Sequence, residues 1–465
     1  MKIWRKALFV TSALIGSLAL PAAAHAQFWV GGTSVPGGTS ADYSNAANWS
    51  PGQVPAENDF AFFGPSNSTN LTITALTTVV QSWNFTSTTD YTFSIVDPPA
   101  AFPPFPPAPL SLSFNGDGIT GNSSHVTFNN DTGGVAFGNL STAGNATFNN
   151  SQLILFSQGS TAGNATFNND GRVDFFNGSN AGNATFNNTV AAGGFPGLAG
   201  FHDQSTAGSA TIILNGGSAV FVDASTAGHA TITNTGGVVL FENTATAGQA
   251  TIVNVSNGGV FFGFNVGDTP TAGNAAISND ATSRIEFVRN STAGSATIAN
   301  SGTTSFSFSS TAGNATITNA GTLTFSAQST GGNAVISNGA AATTDFSASS
   351  GPNGDHKLSA GSIAGGGLFS LGQNELTVGG NNLSTTVSGV VADGGASGGT
   401  GASLVKIGTG TLTLSGNNTY SGGTAINGGT VAISADNNLG AASGNLAFDG
   451  GTLRFLAGVT TNRAV

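Results

Sequence analysis

Ser-Thr-Ala-Gly-Asn-Ala-Thr-Phe-Asn-Asn, residues 141–150, is the stretch whose reading decides the fold, because the chain repeats it with variation from about residue 110 to 350. Its glycine recurs at Gly144, Gly163, Gly182, Gly208, Gly228, Gly248, Gly273, Gly294, Gly313 and Gly332, in steps of 19 to 26 residues, most of them 19 to 21. Two positions after each glycine stands alanine. Four after it stands Phe148, Phe167 or Phe186, and from Ile212 onward isoleucine. Six after it stands Asn150, Asn169, Asn188, Asn234, Asn254, Asn279, Asn300, Asn319 or Asn338, with Leu214 in the one remaining repeat. Seven before it stands phenylalanine in every repeat but the one where that position is Val266. A degenerate earlier copy is His125 to Asn130. Alternation with period two puts alanine, the large apolar residue and asparagine on one face of a strand, and Thr147 with its equivalents on the other.

A period of about 20 residues suits a winding of two or three short strands, and stacked windings put like residues about 4.8 Å above one another. The expected fold is all-β, a right-handed parallel β-helix (β-solenoid) with coils of about 19–21 residues. It carries two apolar stacks and an inward asparagine ladder. One winding buries about two large side chains, roughly 2 kcal/mol each, too little to order about 20 residues alone. Stability therefore belongs to the stack. Longer periods place their extra residues between the ladder asparagine and the next core phenylalanine, at Thr189 to Gly200 and around Val255 to Asn265. Loops gathered on one edge of a rod are where binding is expected.

Around the repeat, Met1 to Lys6 is basic, Ala7 to Leu20 apolar, and Ala24-His25-Ala26 has the small-x-small pattern of a processing site. Residues 1–26 read as a signal peptide. Residues 27–97 read as a β-rich start of the mature chain. Seven prolines between Pro98 and Pro109 mark 98–109 as a stiff linker or excursion. Residues 351–403 continue as irregular Gly/Asn-rich β sequence, and 404–465 form a further unit.

Composition narrows the chemistry. Without Lys2, Arg5 and Lys6 the chain keeps 7 basic residues against 21 acidic, about −14, which speaks against nucleic acid as a partner. There is no cysteine, so neither disulfides nor thiolate sites arise. The histidines after the leader, His125, His202, His229 and His356, have neither a nucleophile motif nor metal-ligand spacing around them. No cofactor is expected. The nearest acid constellation for glycan chemistry is Asp170 and Asp174 with Arg172 between, and His202 and Asp203 a winding further, because adjacent windings bring carboxyl groups within the separation a glycosidase needs. A second column, Asp203, Asp223, Asn243 and Asp268, stands five residues before successive anchor glycines and is the candidate calcium site.

Leu404 to Ser434 carries Lys406, GTGTLTLSG from Gly408 to Gly416, Asn418-Thr419-Tyr420, Gly422-Gly423-Thr424 and Gly428-Gly429-Thr430. This stretch closely resembles the autotransporter-associated β-strand repeat of type V secreted passengers in Gram-negative bacteria, and the early NWSPGQVPAENDFAFFG is similar to passenger starts. The resemblance implies an extended β-helix at the cell surface or outside the cell, acting as adhesin or stalk without catalysis, with host-surface, glycan or self-association partners. It also implies an outer-membrane β-barrel translocator, which these 465 residues are not expected to supply. The rival readings are a glycan-active β-helix enzyme and a truncated gene remnant.

Overall fold

The computed structural model describes residues 24–30, 42–66, 68–73, 78–96 and 110–465. Most of the leader and the proline-rich segment 98–109 lie outside the described residues. Strands of four or five residues alternate with tight corners, and the strands of the repeat pair in parallel with their counterparts one winding away. The chain is an all-β parallel solenoid, and its described residues form two long sheets of 18 strands each. The first sheet holds the strands that end in core phenylalanine, such as Leu153–Phe156 and Arg172–Phe175. The second holds those that end in ladder asparagine, such as Thr147–Asn150 and Thr166–Asn169. Beyond residue 356 a third sheet of five strands opens, from Lys357–Ala360 to Leu446–Phe448, so the later windings have three sides.

Equivalent residues stand in register, Thr147 on Thr166 and Phe148 on Phe167, as the repeat requires. Twelve rings from Phe114 to Phe346 form one column with centroids 4.6–5.0 Å apart and planes within 3–12° of parallel. A second column runs Phe128, Phe148, Phe167, Phe186 and meets the first edge-on at 6.0 Å, as in Phe137 against Phe148. Edge-to-face contact relieves the quadrupole repulsion that parallel stacking alone accumulates. Isoleucine then takes over this column at Ile212, where β-branching fits the pleat.

The asparagine ladder is inside. Asn150 Nδ2 donates to Asn169 Oδ1 at 2.7 Å, and Asn234 to Asn254, Asn254 to Asn279, Asn279 to Asn300 and Asn300 to Asn319 repeat the bond at 2.7–2.8 Å. The same amides also bond the carbonyls of the following corner, as Asn254 does to Gly258 at 3.0 Å. Leu214 interrupts the ladder and leaves the buried Asn234 Oδ1 without a donor. The anchor glycines turn the other corner with φ near +60°. A Cβ on Gly248 would stand 2.8 Å from the Gly228 carbonyl below, so both the dihedral and the stacking call for glycine.

One expectation is corrected. The phenylalanine column in the winding before Gly273 is filled by Phe262, stacked between Phe241 and Phe287, while Val266 is 87% exposed. The longer excursion of that winding therefore follows the core phenylalanine rather than preceding it, and only the first long loop, with its Val190–Pro196 antiparallel bridge, sits where the sequence spacing put it.

At the N-terminal end, Ala26–Trp29 pairs in parallel with Phe60–Phe63 and antiparallel with Trp49–Ser50. Trp29, Tyr43, Trp49, Phe63 and Trp83 close the core there with ring contacts of 5.1–5.6 Å between neighbours such as Tyr43 and Trp49 or Phe63 and Trp49. Tyr91–Ile95 then stacks on Val126–Asn130, so this strand shares the register of the repeats that follow.

Candidate functional site

The column of Asp203, Asp223, Asn243 and Asp268 follows from backbone geometry. Asp203, Asp223 and Asn243 stand two residues after core phenylalanine and turn the corner in the left-handed region, with φ of 54°, 58° and 53°, whereas Asp268 stands six residues after Phe262 and outside that region. Asn and Asp tolerate that region best among residues with a Cβ. Each side chain then accepts the backbone N–H of the winding before: Asn177 to Asp203 Oδ2 at 3.1 Å, Asp203 to Asp223 Oδ2 at 3.1 Å, Asp223 to Asn243 Oδ1 at 3.0 Å, and Asn243 to Asp268 Oδ1 at 3.0 Å. One side-chain oxygen of each residue is thus engaged in an external ladder. Asp268 is buried and also accepts the N–H groups of Phe264 at 3.0 Å and Asn265 at 2.7 Å, which pins the excursion after Phe262. Among the described residues no group of three or more His, Cys, Asp or Glu is placed to hold a metal ion. Beside this column Glu242 is half-buried, and burial together with Asp268 raises its pKa.

The three glycan-chemistry candidates are placed apart. Asp170 lines a shallow groove on the second sheet with Asn149, Asn168, Asn187 and Thr189. Asp174 points outward from the first sheet yet is buried, because Arg172 pairs with one carboxylate oxygen and His202 Nε2 lies 3.5 Å from the other. His202 stacks flat on Phe176 at 4.2 Å. The next strand places Gly200 in register with Asp174, and a Cβ there would overlap the carboxylate. Asp203 belongs to the corner ladder described above. The structure joins Arg172, Asp174 and His202 into one cluster and leaves Asp170 and Asp203 outside it.

Two sets of polar residues escaped the sequence reading. The serine that opens eight of the ten repeats is buried, and Ser160 Oγ donates to the Phe137 carbonyl of the previous winding at 3.0 Å, with Ser141, Ser179 and Ser329 alike, while the hydroxyls of Ser205, Ser225, Ser291 and Ser310 have no such partner. Its fixed place before Thr-Ala-Gly was the available signal. Outward amides also form ladders, Asn149 to Asn129 and Asn168 to Asn149 at 2.8 Å. Adjacent asparagines in one strand therefore serve the inside and the outside by turns.

In the C-terminal windings the conspicuous residues have structural partners. Lys406 is buried without a carboxylate beside it, and its ammonium donates to the carbonyls of Ile407 at 2.5 Å, Gly408 at 3.4 Å and Gly428 at 3.5 Å. Burial lowers its pKa. Asn418 Oδ1 accepts the Val391 N–H at 2.8 Å, and Tyr420, fully buried beside Thr424 Oγ1 at 2.6 Å, has its phenol pushed up to about 12 by burial. Arg463 closes this end on Asp436 at 2.9 Å and holds that carboxyl below its usual range.

These windings match known proteins. Residues 404–433 match the passenger-associated-transport-repeat family. A segment of 62 residues, 13% of this chain, is 56% identical to the autotransporter adhesin BmaC of Brucella suis biovar 1 (strain 1330). The chain spans 2% of that relative's length. No solved structure matches. Lys406 and Tyr420 thus lie in the matched residues 404–433: the chain is a β-solenoid bearing the passenger-associated-transport repeat, with one 62-residue segment homologous to an autotransporter adhesin.

Proposed function

We propose that the chain is rod-forming passenger of an exported, autotransporter-type adhesin, which works as a binding or spacing element without catalysis. The observation that carries this reading is the 56% identity to an adhesin autotransporter across 62 residues, together with a repeat of the transport-associated class at residues 404–433. The leader-like residues 1–26 and the net negative charge agree with a chain that crosses to the cell exterior. Its export partner is an outer-membrane β-barrel translocator, and its surface partners are host-surface components or glycans. The burial of Asp174 under Arg172 and His202 favours a structural over a catalytic role for that carboxylate.

Beads coated with the full chain, tested on host epithelial cells and against acidic and neutral polysaccharides, separate this reading from its rival. Attachment without release of reducing ends or unsaturated products is the expected result. Depolymerisation that disappears in Asp174→Asn would replace the adhesin with a glycan-active enzyme.

A further inference from the structure

The outer face of the first sheet changes character along the rod. From Leu198–Phe201 to Gly259–Phe262 its two outward positions per strand carry Leu198, Val220, Val238, Leu240 and Phe261 in neighbouring columns, with only Ser218 and two glycines among them. Val238 is 37% exposed, Leu198, Val220 and Leu240 are half-buried, and Phe261 is buried. Further along, the same positions are Thr303 and Ser305, then Thr322 and Thr324, the hydroxyl-rich surface expected of a solvated sheet. These windings carry an apolar strip between two charged borders, with Leu153 and Leu155 in the same columns beyond the first border, and an apolar patch on a rod marks an interaction face.

The strip is flat and bracketed. The Phe261 ring folds over Gly259, where a Cβ would overlap it, and the Arg284 guanidinium lies 5.1 Å above that ring. Arg172 with Asp174 borders the strip at one end, and Arg284 with Glu286, 3.1 Å apart, borders it at the other. In both borders arginine occupies the first outward column and the acid the second. The five steps between the borders span about 24 Å at 4.8 Å per winding.

We infer that this face is the contact between two copies of the chain, lying side by side, parallel and in register. A two-fold axis along the rod exchanges the two outward columns. Arg284 then faces Glu286 of the partner subunit, Val238 faces Leu240 of the partner subunit, and each winding meets its own equivalent. Turning the second rod end for end keeps each column opposite itself and sets Arg284 against Arg172 of the partner subunit, a like-charge contact that specificity rejects. Flat sheet faces pack about 10 Å apart without reshaping. The apolar core is small and polar-rimmed, which places the dimer in the weak class, with Kd on the order of micromolar. The inference stands apart from what the rod adheres to.

The chain has no cysteine, so introduced thiols report the geometry directly. Mixing Val238→Cys chains with Leu240→Cys chains under mild oxidation is expected to give a linked dimer in higher yield than either variant alone. Sedimentation should show a concentration-dependent dimer, and Leu240→Glu should weaken it at least tenfold with unchanged far-UV circular dichroism. Three results overturn the proposal: a monomer at about 100 μM, preferential linkage of Ser218→Cys with Val238→Cys chains, or a Leu240→Glu chain that is folded and dimerises as before.

Discussion

Asn254 shows how one residue type does two jobs inside the rod. Its amide accepts from Asn234, donates to Asn279, and donates to the Gly258 carbonyl. Asn254→Ala removes the partner of a buried donor above and a buried acceptor below, and each orphaned group costs about 1–3 kcal/mol. Urea unfolding should therefore show a loss of roughly 2–5 kcal/mol, against a loss near zero for the outward Asn149→Ala. The corner glycines give a matched pair of tests. Gly248 and Gly178 both have positive φ, 62° and 74°, but a Cβ meets the Gly228 carbonyl only at the first and nothing within 4 Å at the second. Gly178→Ala should cost about 1–2 kcal/mol for the left-handed backbone, and Gly248→Ala clearly more, the difference being the stacking contact read by the same unfolding assay.

At the scale of strands and corners, the alternation of the repeat made the sheets, the inward asparagines and the aromatic columns legible from the chain alone. Period two fixes the face, and a fixed period fixes the register. What stayed hidden depended on neighbours outside the pattern. Phe262 was missed because the column was counted back from Gly273, across an excursion whose position the count does not reveal. The Arg172, Asp174 and His202 cluster was approached from the charges but its burial was not, since it depends on Gly200 leaving room one winding away. The acids of the corner column were visible, yet their engagement with backbone N–H groups follows from a left-handed φ that composition does not show. That corner carries a pH test. Glu242 has a raised pKa in the fold, so between the unfolded value of 4.5 and the folded one the native state binds more protons than the unfolded chain. Its contribution to stability is complete below pH 4.5 and is lost as pH rises through the folded pKa. Glu242→Gln should flatten this fall and raise the melting temperature at neutral pH, as thermal unfolding at a series of pH values would show.

For the whole molecule, stability is the sum of windings that touch only their neighbours, and the rod should tolerate loss of a whole period while rejecting loss of part of one. Gly313 and Gly332 are equivalent and 19 residues apart, so deleting Asn314–Gly332 joins Gly313 to Asn333 with every inward column intact. Thr297–Asn300 would then stack directly on Val335–Asn338, isoleucine on isoleucine and asparagine on asparagine, because both strands carry the same pattern. Thr303–Phe306 would meet Thr343–Ser349, and Phe306 would stack on Phe346 as Phe325 does now. The 18 strands of the second sheet span about 80 Å, and small-angle scattering should report a rod shorter by about 4.8 Å that melts in one transition. Deleting the nine residues Asn314–Thr322 instead joins Gly313 to Leu323, removes one strand of the second sheet and cuts into the next strand of the first, and leaves Leu323 and Phe325 on the outward positions. A slipped period two inverts inside and outside. That chain should lose the sharp transition, and a partial deletion that melted as cooperatively as the whole-period one would show that the windings are not the unit of folding.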